Sequence, residues 1–174
     1  MTRSDVVARR RRAALGSAGF LLVGPGSVAG VVPWLLTRWR ARAPVPGGTA
    51  ARTLGAGLVV TGTGVVGSAF VRFVREGLGT PVPAAPPSEL VVGGLYRHVR
   101  NPMYDALGAV VVGQALLLGR ARLLGYAAAM AVPVVAFVRL REEPVLQRRF
   151  GAQYTRYCAH VPRWVPRLRP WTGR

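Results

Sequence analysis

Residues 100–143 read RNPMYDALGAVVVGQALLLGRARLLGYAAAMAVPVVAFVRLREE. Two apolar runs lie in this stretch, Ala106 to Gly119 and Leu123 to Val138, uncharged over 14 and 16 residues and separated by Arg120 and Arg122. Begun at Pro102, the first run lengthens to 18 residues with Asp105 as its single charge. A bilayer core about 30 Å thick takes roughly 20 apolar helical residues, and arginines at the ends of shorter runs can reach the interface. The connection from Gly119 to Arg122 is tight enough to force two antiparallel helices. Counted from that turn near Arg120, Tyr104 lies 16 residues back and Glu142 lies 22 residues forward. At about 1.5 Å of rise per residue both come to the same end of the hairpin, within about two helical turns in depth.

Working outward, two further uncharged runs precede the hairpin: Ala13 to Leu36, 24 residues after the basic cluster Arg9 to Arg12, and Thr53 to Val71, 19 residues. The first exceeds the 7–15 residues of a signal-peptide core and reads as a retained anchor. Pro25 and Pro33 should kink it, as membrane helices tolerate, and Trp34 and Trp39 suit an interfacial belt. The expected fold is all-α: an integral membrane protein of four transmembrane helices with a C-terminal amphipathic cytoplasmic helix. One domain is expected over residues 1–174, comprising a basic N-terminus (1–12), two N-terminal spans (13–74), and the hairpin with its C-terminal segment (88–166). Four spans put both termini on one side. Eighteen arginines then fall on that side and six on the other, so the positive-inside rule makes the termini cytoplasmic in a multi-pass cell-membrane protein. The connection from Arg75 to Arg100, with Pro81, Pro83, Pro86 and Pro87, reads as extended and irregular.

The composition agrees. All 24 basic residues are arginine against six acids, 51% of residues are apolar and 17% charged, where a water-soluble domain carries roughly a quarter charged. A disordered polycation is excluded. A nucleic-acid partner is disfavoured, because the arginines bracket apolar runs instead of interleaving with aromatics. Cys158 is the single cysteine and His98 and His160 the only histidines. An intramolecular disulfide, a thiolate metal cluster, zinc chemistry and a Ser/His/Asp triad all lack parts, and no metal is expected.

Local signals place the remaining features. Pro144 should hold Glu143 in extended geometry and start a new helix. Leu146, Phe150, Tyr154 and Tyr157 recur at helical spacing, so Pro144 to Tyr157 reads as an amphipathic helix over the hairpin mouth, ended by Val161-Pro162-Arg163-Trp164-Val165-Pro166. Gly62, Gly64 and Gly67 match GxGxxG but sit inside an apolar span without a βαβ unit, so close helix packing explains them better than a phosphate cradle; Gly26 and Gly30 take the same reading. Acids are scarce, and the adjacent Glu142-Glu143 beside a bilayer calls for an arginine partner or a bound cation.

The order Gly94-Leu95-Tyr96, Arg100-Asn101-Pro102-Met103-Tyr104, Glu142-Glu143, Leu146, Phe150-Gly151, Tyr154, Tyr157 and Val161-Pro162-Arg163 resembles the isoprenylcysteine carboxyl methyltransferase family and the related phospholipid N-methyltransferases. The resemblance runs from Leu90 to Pro166. It implies an integral membrane methyltransferase that uses S-adenosyl-L-methionine without a Rossmann domain, the cofactor lying at the cytoplasmic mouth of the hairpin. Carried over, Leu90, Val91, Tyr96, Asn101, Pro102, Met103 and Tyr104 would line the cofactor and Glu142 would bind it, with Glu143 close by. An arginine near that glutamate faces the substrate in the family; Arg139 and Arg141 both flank the place. The family pattern has His where this chain has Asn101, which hydrogen-bonds but cannot take a proton.

The implied acceptor is a lipophilic or small molecule, a carboxylate as in the isoprenylcysteine enzymes or else a phospholipid amine or a thiol. Membrane lipid is the other implied partner. The reading from a different class is a non-enzymatic four-span protein that binds anionic lipid or scaffolds a partner. It explains the charge but leaves Glu142-Glu143 and the ordered Tyr/Asn/Pro/Tyr pattern without a role.

Overall fold

The computed structural model describes residues 23–42, 47–76, 90 and 92–173, with backbone alone over 70–76. The basic cluster Arg9 to Arg12, the start of the first apolar run, the four loop prolines and Val91 lie outside the described residues. Within them every regular element is helical: α1 (Ser27–Thr37), α2 (Gly48–Glu76), a 3-10 turn (Gly94–Arg97), α3 (Pro102–Leu118), α4 (Ala121–Phe137), a π-turn (Val138–Glu142) and α5 (Glu143–His160).

The hairpin is α3 and α4. Pro102 opens α3 at a position where no backbone N–H is required. Gly119 closes it in the left-handed conformation (φ 63°), and Arg120 N–H returns to the Ala115 carbonyl at 3.0 Å, which satisfies an orphan carbonyl as a Schellman ending does. Val111, Ala115 and the fully buried Leu123 form the seam between the two helices, with Leu118, Tyr126 and Ala127 packed against it.

Helix α2 lies along α3 at a separation set by three glycines. A Cβ on Gly62 would sit 2.7 Å from the Ala106 carbonyl oxygen, and one on Gly55 would sit 2.6 Å from the carbonyl oxygen of Gly113. Close approach of this kind is how small residues hold helices together where burial of apolar surface gives no net drive. The glycine reading is corrected in its details: Gly62 does this, whereas Gly64, Gly67 and Gly30 would place a Cβ in open space.

Helix α1 shows how Pro33 is accommodated. Its π-turn (Ser27–Val31) sends the Val32 N–H to the Ser27 carbonyl, and Pro33 has no N–H to offer Ala29. The carbonyls of Val28 and Ala29 are thereby released. Tyr126 Oη of α4 donates to the first at 3.0 Å and Gln114 Nε2 of α3 donates to the second at 2.7 Å. The kink therefore creates the two acceptors that tie α1 to the hairpin. Tyr126→Phe should cost about 1 kcal/mol, the usual net worth of one such bond, measured by denaturant titration in detergent; Gln114→Ala should do the same, and the two should add.

Pro144 corrects one expectation. Glu143 is not extended but helical (φ −61°, ψ −43°), and its N–H reaches the Val138 carbonyl. The π-turn absorbs the missing proline N–H, so α4 continues into α5 as one helical stretch, Ala121–His160. Among the described residues this stretch alone is long and apolar enough to cross a membrane, by length and composition, and 11% of its apolar window is buried in the protein. Apolar surface so bare of protein calls for an apolar surrounding. Ser27–Thr37 and Pro102–Leu118 are apolar and shorter.

Helix α5 extends three residues beyond the expected end and is kinked at Gly151 (φ 49°, ψ −123°), a backbone state that glycine reaches without Cβ strain. Beyond the kink, Tyr154, Tyr157 and Val161 form a second core with Leu90, Val92, Leu146, Phe150 and Trp171. From Val161 the chain doubles back along residues 97–100: Arg100 N–H bonds the Pro162 carbonyl at 2.9 Å, Arg167 N–H the His98 carbonyl at 3.0 Å, and Trp171 N–H the Arg97 carbonyl at 2.9 Å.

Candidate functional site

The tight turn at Gly119 brings the N-terminus of α3 level with the π-turn after α4. There Tyr104 Oη donates to Glu142 Oε2 at 3.2 Å, joining residues 38 apart in sequence. Glu142 lies beyond the apolar run that ends at Val138. Burial raises its pKa above the ordinary carboxylate range, the hydrogen bond from Tyr104 opposes that shift, and the charge on Glu143 adds to it. A partly desolvated carboxylate with a single hydrogen-bond donor among the described residues favours an incoming cation.

Glu143 is differently placed. Arg163 grips it bidentately, Nε to Oε1 at 2.8 Å and Nη2 to Oε2 at 2.7 Å, while Arg100 Nη1 reaches Oε1 at 2.7 Å. Side-chain exposures of 16% for Glu143, 14% for Arg100 and 28% for Arg163 make this a half-buried network. The bond to Glu143, more than any other influence, raises the Arg163 pKa. Arg100 Nη1 also lies 3.0 Å from Cys158 Sγ. The expected arginine partner of the acid pair therefore exists, but it comes from Arg100 and Arg163, far apart in sequence. Arg139 and Arg141 beside the pair are exposed, and neither takes part in an ion pair or hydrogen bond within the described residues.

The other expected residues fall around this mouth. Asn101 is buried (8% exposed) and its Nδ2 donates to the Arg163 carbonyl at 3.1 Å, so its amide holds the C-terminal segment. Pro102 is buried as the first residue of α3, and Met103 is half-buried beside it. The backbone carbonyl of Tyr96 accepts the Tyr157 hydroxyl at 2.7 Å. Burial, first among the causes, pushes the Tyr157 phenol upward, so it stays protonated and donates. Leu90 packs on the Tyr154, Tyr157 and Val161 core. The hairpin mouth thus gathers Tyr96, Asn101, Pro102, Met103, Tyr104, Glu142 and Glu143, leaving Leu90 on the α5 side and Arg139 and Arg141 on the outer surface.

Sequence reasoning missed Arg100 and Arg163 as the holders of Glu143. The available signal was charge scarcity: each lies within two residues of a proline, Arg100 before Pro102 and Arg163 after Pro162, in a chain with very few acids to pair with.

A family model described as phospholipid methyltransferase matches residues 50–153, from the start of α2 through the hairpin and into α5. No curated protein and no solved structure matches the chain.

Proposed function

The chain belongs to the phospholipid methyltransferase family, and from that premise we propose that it is a multi-pass membrane methyltransferase that takes S-adenosyl-L-methionine at the cytoplasmic mouth of the α3–α4 hairpin and methylates a lipophilic or small acceptor. On this reading the chain is one domain with four spans and cytoplasmic termini, as the arginine distribution requires. The observation that carries the proposal is the Tyr104–Glu142 contact. It puts a carboxylate short of donors and an aromatic face at one place, the fit an ammonium-bearing sulfonium demands.

When bound, the cofactor supplies an electrophilic methyl group. The chain's part is to bind and orient, which can account for most of the rate of an in-line displacement. Glu142 holds an ammonium; Tyr96 and Tyr104 offer ring faces; Leu90, Val91, Asn101, Pro102 and Met103 complete the lining. Glu143 stands next to Glu142 and, through Arg100 and Arg163, fixes the backbone on which Glu142 sits. Arg139 or Arg141 would clamp an anionic acceptor group, and their exposure, with no side-chain partner among the described residues, suits that role. A carboxylate acceptor, as in the isoprenylcysteine enzymes, needs no general base. The same exposed guanidiniums would equally hold a lipid phosphate, which supports phospholipid N-methylation as the second reading, with thiol S-methylation beside it.

Purified in detergent, the protein should bind S-adenosylmethionine, and Glu142→Gln should weaken that binding at least tenfold while leaving the far-ultraviolet circular dichroism unchanged. Undiminished affinity in the variant would sink the site. Absence of binding by the wild type would favour the non-enzymatic lipid-binding or scaffold reading.

A further inference from the structure

At the end of the bundle away from Glu142, arginines gather without an acid. Arg38, Arg40 and Arg42 follow α1, Arg52 lies near the start of α2, and Arg120 and Arg122 flank the start of α4. Backbone acceptors tie most of them together: Arg42 N–H bonds the Leu118 carbonyl at 2.9 Å, Arg120 Nε donates to the Arg40 carbonyl at 2.9 Å, and Arg122 Nη1 reaches the Leu36 carbonyl at 3.4 Å. The described acids, Glu76, Asp105, Glu142 and Glu143, stand at the far ends of their helices. The guanidiniums of Arg38, Arg40, Arg42 and Arg52 therefore form no ion pair among the described residues.

Beside these charges lies an apolar groove of about 350 Å³ lined by Gly26, Gly30, Val31, Trp34 and Trp39. A Cβ on Gly30 would meet nothing within 4 Å. Trp39 is brought to the groove by an uncommon backbone: Arg38 and Trp39 both have φ 50°, a region that a Cβ disfavours. Thr37 holds this reversal, its Oγ1 donating to the Pro33 carbonyl at 2.7 Å and accepting the Trp39 N–H at 3.2 Å. Trp34 and Trp39 nevertheless stay 40% and 56% exposed. The Arg38 guanidinium stands over the Trp34 ring, 4.3 Å from its centroid. Such stacking uses the guanidinium face and leaves its N–H edge for an anion. The strained reversal thus keeps two large rings and a cation on the rim of an open groove instead of burying them.

We propose that this groove binds one acidic phospholipid of the surrounding bilayer, an acyl chain lying against Val31, Trp34 and Trp39 and the phosphate held by Arg38 and Arg40. Charge chooses the occupant. Clustered guanidiniums without an acid favour an anion and grip phosphate bidentately, the lining takes a hydrocarbon chain, and tryptophan suits the boundary between the two. A zwitterionic headgroup would bring its own ammonium among the arginines. Helix α3 has 17 residues, so at about 1.5 Å each the groove is roughly 25 Å from the hairpin mouth. This lipid is therefore not the methyl acceptor, and the inference stands apart from the methyltransferase reading. Because Arg40 and Arg42 are tied to the α3–α4 turn, the lipid fastens α1 to the hairpin at this end.

The test titrates full-length protein in dodecyl maltoside with phosphatidylglycerol or phosphatidylcholine and reads bound lipid by native mass spectrometry. Wild type should retain phosphatidylglycerol at least tenfold more tightly than phosphatidylcholine. Gly30→Leu fills the groove and leaves the arginines in place; Arg38→Gln with Arg40→Gln removes charge and leaves the apolar lining. Each should weaken phosphatidylglycerol retention at least tenfold with the far-ultraviolet circular dichroism unchanged, and Arg38→Lys with Arg40→Lys should keep part of it. Equal retention of the two lipids by wild type, a comparison that needs no variant, would overturn the proposal. So would retention unchanged in either variant. Displacement of the lipid by excess inorganic phosphate would reduce the place to a bare anion site, and a dimer that excludes lipid would give the groove to a second copy of the chain; either result overturns the proposal as well.

Discussion

Glu143→Ala is expected to destabilise the protein by roughly 3 kcal/mol, the lower part of the range for breaking a buried ion pair from one side. Removing the carboxylate leaves two guanidiniums facing each other in a half-buried pocket, Arg100 at 14% and Arg163 at 28% exposure. Arg163 can swing toward water; Arg100, which keeps only the contact to Cys158, cannot do so without dragging the start of α3. The C-terminal segment is held at the same place by the Arg100 N–H to Pro162 and by Asn101 to Arg163. Hydrogen exchange should therefore rise first over residues 161–171, with the shift in the unfolding midpoint read by circular dichroism in detergent. Glu143→Gln, which keeps an acceptor but not the charge, should fall between. A loss below about 1 kcal/mol for Glu143→Ala would place the network with solvent-screened surface pairs.

Gly113→Val should be comparably damaging for a different reason. A Cβ at Gly113 would lie 2.7 Å from the Gly55 carbonyl oxygen and 2.9 Å from Val59 Cγ2. The first of these is backbone and cannot rotate away, so α2 and α3 must separate along their contact. Overpacking that moves backbone costs about 3 kcal/mol, and loss of the α2–α3 seam should also lower S-adenosylmethionine binding by misplacing Tyr104. Gly64→Ala on the partner helix α2 is the control: with nothing within 4 Å of its Cβ, it should be neutral or gain up to about 1 kcal/mol from helix propensity. Equal destabilisation by the two variants would show that helix propensity, not interhelical distance, governs these glycines.

Those glycines also show why parts of the molecule were legible and parts were not. That Gly62, Gly64 and Gly67 lie on a packed apolar helix follows from the run around them. Which of them touches α3 depends on the helix's rotation about its axis, and that rotation is set by Gly55 and Gly113 together. The acid pair behaves alike. Scarcity of acids marked Glu142 and Glu143 as meaningful, and the hairpin arithmetic brought Tyr104 to Glu142, because both depend on distance along a helix. The arginines that hold Glu143 come from two segments far apart in the chain that run side by side, where neighbours in space are strangers in sequence. Pro144 misled for a related reason: a proline disfavours a helical predecessor locally, but a π-turn that shifts the hydrogen-bond register removes the conflict.

The sequence by itself determined the helices, the hairpin, its antiparallel sense and the meeting of Tyr104 with Glu142, since charge-free run lengths, a glycine stop and a fixed rise per residue are local quantities. Tertiary structure alone decided that Glu143 is spoken for by Arg100 and Arg163, and that α1 hangs on carbonyls its own π-turn and Pro33 released. Each of these is a matter of which polar group finds which, and a side chain's partner is fixed only when separate helices close on one another.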